Sequence, residues 1–319
     1  MDNSISLSGT YFSGSSALID IFHEHNSCAV IPNEFALFSY GQFFAEVLYP
    51  LQFGEIDEEI FNKNLGRFTS FNQSEIPILF SILRKISNFL RLYPEYFFKM
   101  RLGMSKILGE KYTDACRAFE EYCLDCNDLK TSFDPKYVSE LISKILNEAC
   151  LSKIEANNSS SSLVVFDQFI SPAYIKQAKP FLPQTKFIVV DRNWRDQYAD
   201  MRSEIDRMIR VNNKMDTRPF DEKISKKAFK RKDFFIDLRR KVEFLKISQK
   251  KSKNILWLDF ENLVNDTNNT MDRVFNFLNI ESRNWNKGNR FFPEKSIKNI
   301  GLWRESRYKD EIIMLEEYL

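Results

Sequence analysis

Apolar residues along the chain fall into two kinds of run. Short apolar runs occupy residues 5–7 and 28–31, the second stopped by Pro32, and then 163–166, 186–191 and 254–259. The last three are continuous rather than alternating, as parallel strands covered on both faces require. Helical spacing follows the strands. Residues 16–25 carry Leu18, Ile19 and Phe22, and similar patterns span 172–179, 195–210 and 261–278. Strand-helix alternation of this kind predicts an α/β fold with a parallel sheet of about five strands flanked by helices. From about 55 to 155 the pattern changes. Residues 76–92 and 105–126 have apolar positions three and four apart and little strand character, so a large helical insertion is expected there. A polar run, Asn157, Asn158 and Ser159 to Ser162, ends it as a loop. The expectation is one α/β domain over residues 1–319 carrying this insertion.

Composition narrows the classes. The chain has 319 residues, 43% of them hydrophobic, enough for a sizeable core. Its net charge of +2, from 46 Lys and Arg against 44 Asp and Glu, gives no global drive toward nucleic acid. No run of eighteen apolar residues marks a membrane span, and the first residues have neither the basic nor the apolar region of a secretory signal. Five cysteines, an odd number over a long chain, fit reduced thiols and a cytoplasmic setting. Two histidines in the whole chain argue against metal chemistry.

Glycine is scarce, nine in all, while phenylalanine occurs thirty times. Two of the glycines bracket the loop after the first strand: Gly9, Thr10, Tyr11, Phe12, Ser13, Gly14, Ser15, Ser16. In an open α/β sheet, ligands are expected at the carboxyl ends of the strands. The spacing of Gly, four residues, Gly and a following hydroxyl suits a phosphate loop of the P-loop type. Glycines let backbone N–H groups converge, and the next helix presents its positive end to an anion. An ordinary strand-to-helix turn needing positive φ reads the same residues equally well. Ser15 stands where an NTPase would need lysine, which weighs against ATP or GTP hydrolysis.

The segment Gly9-Thr-Tyr-Phe-Ser-Gly-Ser-Ser resembles the 5′-phosphosulfate loop of sulfotransferases that use 3′-phosphoadenosine-5′-phosphosulfate (PAPS). Phe12 stands where that family keeps Arg or Lys. Residues 186–200 resemble the family's 3′-phosphate segment, with Arg192 at the strand end. Trp194 replaces a usual proline, and Asp200 replaces a usual serine. An Arg at a strand end can grip a phosphate with two parallel hydrogen bonds. A carboxylate at 200 would repel phosphate unless paired, and Arg202 and Arg195 are the expected partners. Residues 257–280 resemble the family's late strand-helix unit, where Glu261 is expected to cap or pack. Residues 292–304 resemble its closing cofactor loop. The resemblance implies that Ser296, Lys298 and Gly301 belong to that loop, with Lys295 or Lys298 supplying the cation that Phe12 does not. Residues 32–38 are similar to the carbohydrate-type segment whose Glu serves as base. Glu34 matches it, with Phe35 and Phe38 expected to desolvate its carboxylate.

Three further features carry bland readings. Cys123-x-x-Cys126, with Cys116 one face over, reads as helix packing. His23-x-His25 reads as the end of the first helix, with a dipole role. Residues 223–253, rich in Lys and Arg and interleaved with Phe229, Phe234, Phe235 and Phe244, read as a solvated amphipathic helix.

The resemblance therefore implies sulfuryl transfer from PAPS, without a metal, to a hydroxyl of a carbohydrate, glycan-like or small-molecule acceptor. No nucleic-acid partner is implied. Two readings stay open beside it. One is a sulfotransferase-fold protein with altered chemistry that binds nucleotide or glycan, motivated by Phe12 and Asp200. The other is a P-loop kinase.

Overall fold

The computed structural model describes residues 4–10, 12–35, 37–53, 55, 57–73, 104–125, 134–156, 162–213, 221–249 and 252–319. Tyr11, Cys126, the expected helix at 76–92 and most of the Asn/Ser loop lie outside the described residues.

Five parallel strands form one sheet in the order β2-β3-β1-β4-β5. They are β1 (Ser4–Gly9), β2 (Cys28–Glu34), β3 (Leu163–Asp167), β4 (Lys186–Asp191) and β5 (Ile255–Asp259). The α/β expectation holds, and all five strands lie where the apolar runs predicted them. The backbone of β4 and β5 is in continuous register from Phe187 opposite Ile255 to Asp191 opposite Asp259. Pro32 does not stop the second strand, which runs on to Glu34 with a register shift between Val30 and Glu34. β2 is an edge strand. A proline there forfeits no ladder hydrogen bond on its open side.

The chain divides into two compact units, Met1–Ser6 with Asn26–Thr185, and Leu7–His25 with Lys186–Leu319. In the first, three long helices fall in the region expected to be a helical insertion: α2 (Glu58–Gln73), α3 (Met104–Asp125) and α4 (Pro135–Ala156). α3 bends at Gly109, whose φ of 83° departs from the helix. The core of this unit is aromatic. Phe38 stacks on Phe68 with ring centroids 5.4 Å apart and meets Phe44 and Phe119 edge-on, while Phe35 packs on Phe166 and Phe169. Such pairs add roughly 0.5–1.5 kcal/mol each beyond their area burial. This is where much of the phenylalanine excess goes.

The second unit holds α1 (Ser15–Glu24), α5 (Trp194–Asn213), α6 (Asp221–Ser248), α7 (Phe260–Asn265), α8 (Thr267–Leu278) and a C-terminal α9 (Lys309–Leu315). Leu18, Ile21 and Phe22 bury one face of α1, and their spacing is what makes that segment a helix. The pattern read as one helix at 261–278 is two, broken at Asp266, whose φ of −138° and ψ of 61° are not helical. Tyr198, Phe235, Tyr308 and Ile312 close a second core between α5, α6 and α9. Phe235 thus turns inward from the basic α6, while Phe234 and Phe244 stay exposed.

Candidate functional site

The glycine loop joins β1 to α1. Gly14 caps α1 in the left-handed region, φ 83°. A methyl at Gly14 would lie 2.2 Å from the Phe260 ring, and one at Gly9 would lie 2.1 Å from Ser13 Oγ. Gly14 is therefore required by close approach and by its φ, while at Gly9 a methyl would press on the rotatable Ser13 hydroxyl. The Ser13 N–H donates to the Thr10 carbonyl at 2.9 Å, which closes the turn. Phe12 sits at the tip, 38% exposed and left-handed at φ 58°. That conformation costs a non-glycine residue about 1–2 kcal/mol. Ser15 is buried and Ser16 exposed at the start of α1. The first N–H groups of any helix lack intrahelical partners, and the macrodipole adds positive potential there.

Arg192 follows β4 directly. Its Nη1 donates to the Phe12 carbonyl at 2.9 Å and to the Asp200 carboxylate at 2.6 Å, and its Nη2 to the Asn299 carbonyl. The guanidinium lies 5.3 Å from the centre of the Phe260 ring. The Arg192 side chain is only 3% exposed, and its Nε is buried without a hydrogen-bond partner. Asp200 is therefore paired with Arg192 itself, not with the expected Arg195 or Arg202. Those two reach Glu316 and Glu311 on and just after α9. The reason is helical geometry. Position 200 lies on the first turns of α5 facing the strand end, while the neighbouring arginines face α9.

Below Arg192 a buried network braces the loop. Gln197 donates to the Thr10 hydroxyl at 2.7 Å and accepts from Arg239, which also donates to Asp191 at 2.6 Å. Lys246 reaches the second Asp191 oxygen at 3.0 Å. Burial pushes the Asp191 carboxyl up, but the charges and hydrogen bonds of Arg239 and then Lys246 outweigh it, and the net shift is downward. Glu261 accepts the Asn193 N–H at 2.9 Å.

The C-terminal loop is tied to α5 by Asp196, whose carboxylate accepts the backbone N–H groups of Gly301 at 2.8 Å and Trp303 at 3.0 Å. Gly301 is left-handed at φ 77°, a conformation that places both amides toward one carboxylate.

A cleft of about 250 Å³ opens at the amino end of α1. Gly14, Ser16, Arg192 and Ser296, all expected from the sequence, line it together with Lys295. Lys298 is exposed on the following turn and is not among the lining residues. Gly9, Thr10, Phe12, Ser13, Ser15, Asp200 and Gly301 are not among the lining residues. Sequence reading missed Asp20, Phe260, Arg290, Phe291, Phe292 and Asn299, which complete the wall. Asp20 was within reach of the pattern, since it lies four residues after Ser16 on one face of α1. Burial raises its carboxyl above the ordinary value, Arg290 draws it back, Glu24 adds to the rise, and the net direction is up. Arg290 has no sequence signal. Glu24 positions it by accepting the N–H groups of Arg290 and Phe291 and the Trp285 indole N–H at 2.8 Å. Burial raises Glu24 as well, yet these donors outweigh it and hold the group below its ordinary value. Lys295 lies 4.0 Å from the centre of the Phe292 ring. Cationic, hydroxyl and aromatic groups around one helix start can hold a phosphate or sulfate group attached to a planar ring.

Glu34 belongs to the first unit, at the carboxyl end of β2. It is half-buried and accepts a hydrogen bond from the Tyr40 hydroxyl at 2.7 Å. Phe35 and Phe38 are fully buried in the aromatic core.

Cys28, Cys116, Cys123 and Cys150 are buried thiols, and burial pushes the Cys116 thiol up to about 12, as packing rather than redox residues require. His25 Nε2 lies 3.1 Å from the Glu281 carbonyl, tying the end of α1 to the segment after α8. Among the described residues no three His, Cys, Asp or Glu side chains are grouped to hold a metal ion. Among them, too, no helix is long and apolar enough to cross a membrane.

A family model described as "Sulfotransferase domain" matches residues 4–309. No curated protein sequence matches the chain. Solved structures similar to it include two sulfotransferase domains. The sulfotransferase domain from the Synechococcus PCC 7002 olefin synthase is 15% identical, with 99% of this chain and 94% of that chain covered and a TM-score of 0.42. The sulfotransferase domain from the curacin biosynthetic pathway is 13% identical, with 90% and 79% covered and a TM-score of 0.40.

Proposed function

The chain belongs to the sulfotransferase domain family, and from that premise we propose that it moves a sulfuryl group from PAPS to a hydroxyl of a carbohydrate, glycan-like or other small-molecule acceptor. The observation that carries the reading is the cleft at the start of α1, where Ser16, Arg290, Lys295 and Ser296 converge. Donors set at the site of developing charge are the main contribution a protein can make to such a transfer. The acceptor oxygen forms a bond to sulfur as the bond from sulfur to the phosphate oxygen breaks. The electron pair leaves with adenosine 3′,5′-bisphosphate, and the acceptor proton goes to Glu34. Family resemblance supports Glu34 as base, and its Tyr40 hydrogen bond fixes the carboxylate. The carbohydrate acceptor rests on the residues around Glu34 alone. The odd number of cysteines supports a reducing, cytoplasmic setting.

A second reading is favoured by Phe12, which offers a carbonyl to Arg192 at the loop tip where the family keeps a cation. In that reading the cleft binds nucleotide without transfer. Thermal-shift titration with adenosine 3′,5′-bisphosphate, ATP·Mg²⁺ and GDP separates the readings, followed by a transfer assay with PAPS labelled in the sulfuryl group. The proposal expects stabilisation by the bisphosphate above the other two, and label on an acceptor. Bisphosphate binding with no transfer to any hydroxyl acceptor supports the second reading. Stabilisation by ATP·Mg²⁺ alone overturns transfer from PAPS.

A further inference from the structure

We propose that Asp200 is an internal anion that masks Arg192, and so sets how much a phosphate or sulfate group in this cleft gains from that guanidinium. The inference deepens the nucleotide reading above and rests on it for the ligand class. Arg192 is the most deeply buried cation lining the cleft, with its side chain 3% exposed. Its charge is matched by one carboxylate, Asp200 at 2.6 Å, whose side chain is 33% exposed. The two carbonyls it also holds, from Phe12 and Asn299, are neutral. Asp200 does not itself line the cleft, so it neutralises the guanidinium from behind the wall, and an incoming oxyanion must compete with it for Arg192. Donor capacity is left over for such a group, since Nε is buried without a partner.

The physical consequence follows from the cost of an uncompensated buried charge. With Asp200 in place the pair is neutral and an anion gains little from Arg192. Without it, a buried cation is left whose best remedy is a bound oxyanion. The first phosphate or sulfate group, at the start of α1 with Ser16 and Lys295, does not depend on this exchange.

Asp200→Asn and Asp200→Ser test the assignment. Asn keeps an acceptor for Arg192 and removes only the charge, so it remains informative should the serine variant fold poorly. Inorganic sulfate, against chloride at matched ionic strength, is titrated by thermal shift. Adenosine 5′-phosphate and adenosine 3′,5′-bisphosphate are titrated by calorimetry. Both variants are expected to gain sulfate-dependent stabilisation beyond that of the natural protein, whose site at the start of α1 they leave unchanged. They should also bind the bisphosphate roughly tenfold tighter, the worth of one charge-assisted hydrogen bond, with adenosine 5′-phosphate unchanged. Equal responses of the natural protein and the variants to sulfate and to the bisphosphate overturn the proposal, as does weaker bisphosphate binding by Asp200→Asn. A gain in sulfate stabilisation with no binding of either nucleotide supports the masking role and removes the nucleotide reading instead.

Discussion

The Glu24 carboxylate accepts the backbone N–H of Phe291 at 2.9 Å across 267 positions of sequence. The last turn of α1 thereby holds the strip that carries Arg290, Phe291 and Phe292 into the cleft wall. Replacing Glu24 with Gln converts an acceptor-only group into one that presents an amide to three donors. The expected cost is about 1–3 kcal/mol, the penalty for disturbing buried hydrogen bonds. Urea denaturation measures it, and an unchanged midpoint would show that the strip is held by something else.

Acid should weaken the fold through the same group and through Asp191. Both have folded pKa values below their ordinary ones. Their contribution is fully present above the ordinary carboxylate range and is lost as the pH falls below it, through the folded values. Asp20 acts in the opposite sense, because its folded value is raised and protonation relieves it. Denaturation midpoints followed downward from pH 6 should decline most steeply below roughly pH 4. Glu24→Gln and Asp191→Asn should each flatten that decline. If neither does, the acid sensitivity lies elsewhere.

Gly14→Ala should cost about 1–3 kcal/mol, from a left-handed backbone and the overlap with the Phe260 ring. Adding Phe260→Leu relieves the overlap and leaves the backbone strain, so the double variant should recover part of the loss. Full recovery would place the whole cost in packing.

Among the basic residues of the cleft and its rim, Arg290→Ala and Lys295→Ala should each weaken binding of adenosine 3′,5′-bisphosphate by roughly tenfold, as loss of a charge-assisted contact does. Lys298→Ala should change it little, since that side chain lies outside the lining. Calorimetry ranks the three, and a dominant effect at Lys298 would reverse the assignment.

Glu34→Gln should abolish transfer while leaving bisphosphate affinity unchanged, if Glu34 takes the acceptor proton. Tyr40→Phe removes only the hydroxyl that orients the carboxylate, so it should reduce turnover partially. Full turnover in Glu34→Gln would exclude Glu34 as the base.

Local elements were legible because each is fixed by residues close in sequence. The apolar run from Phe187 to Val190 marks β4, since a strand covered on both faces has no polar positions to alternate. Gly14 marks the loop, since only glycine tolerates the contacts and the φ found there. The spacing of Leu18, Ile21 and Phe22 marks α1. Pro32 misled because the rule against proline in strands holds for interior strands, and whether a strand is an edge is not local information.

The sequence by itself determined the α/β alternation, the helical block between the second and third strands, the glycine loop and the arginine at the end of β4. Tertiary structure alone decided what those parts do to one another. It gave Arg192 to the Phe12 and Asn299 carbonyls, gave Gly301 to Asp196, and brought Arg290 to the start of α1 through Glu24. Patterns of three, four or two residues encode which face an element buries. A hydrogen bond between residues more than a hundred positions apart depends on where two whole elements finally pack, and no local spacing records that.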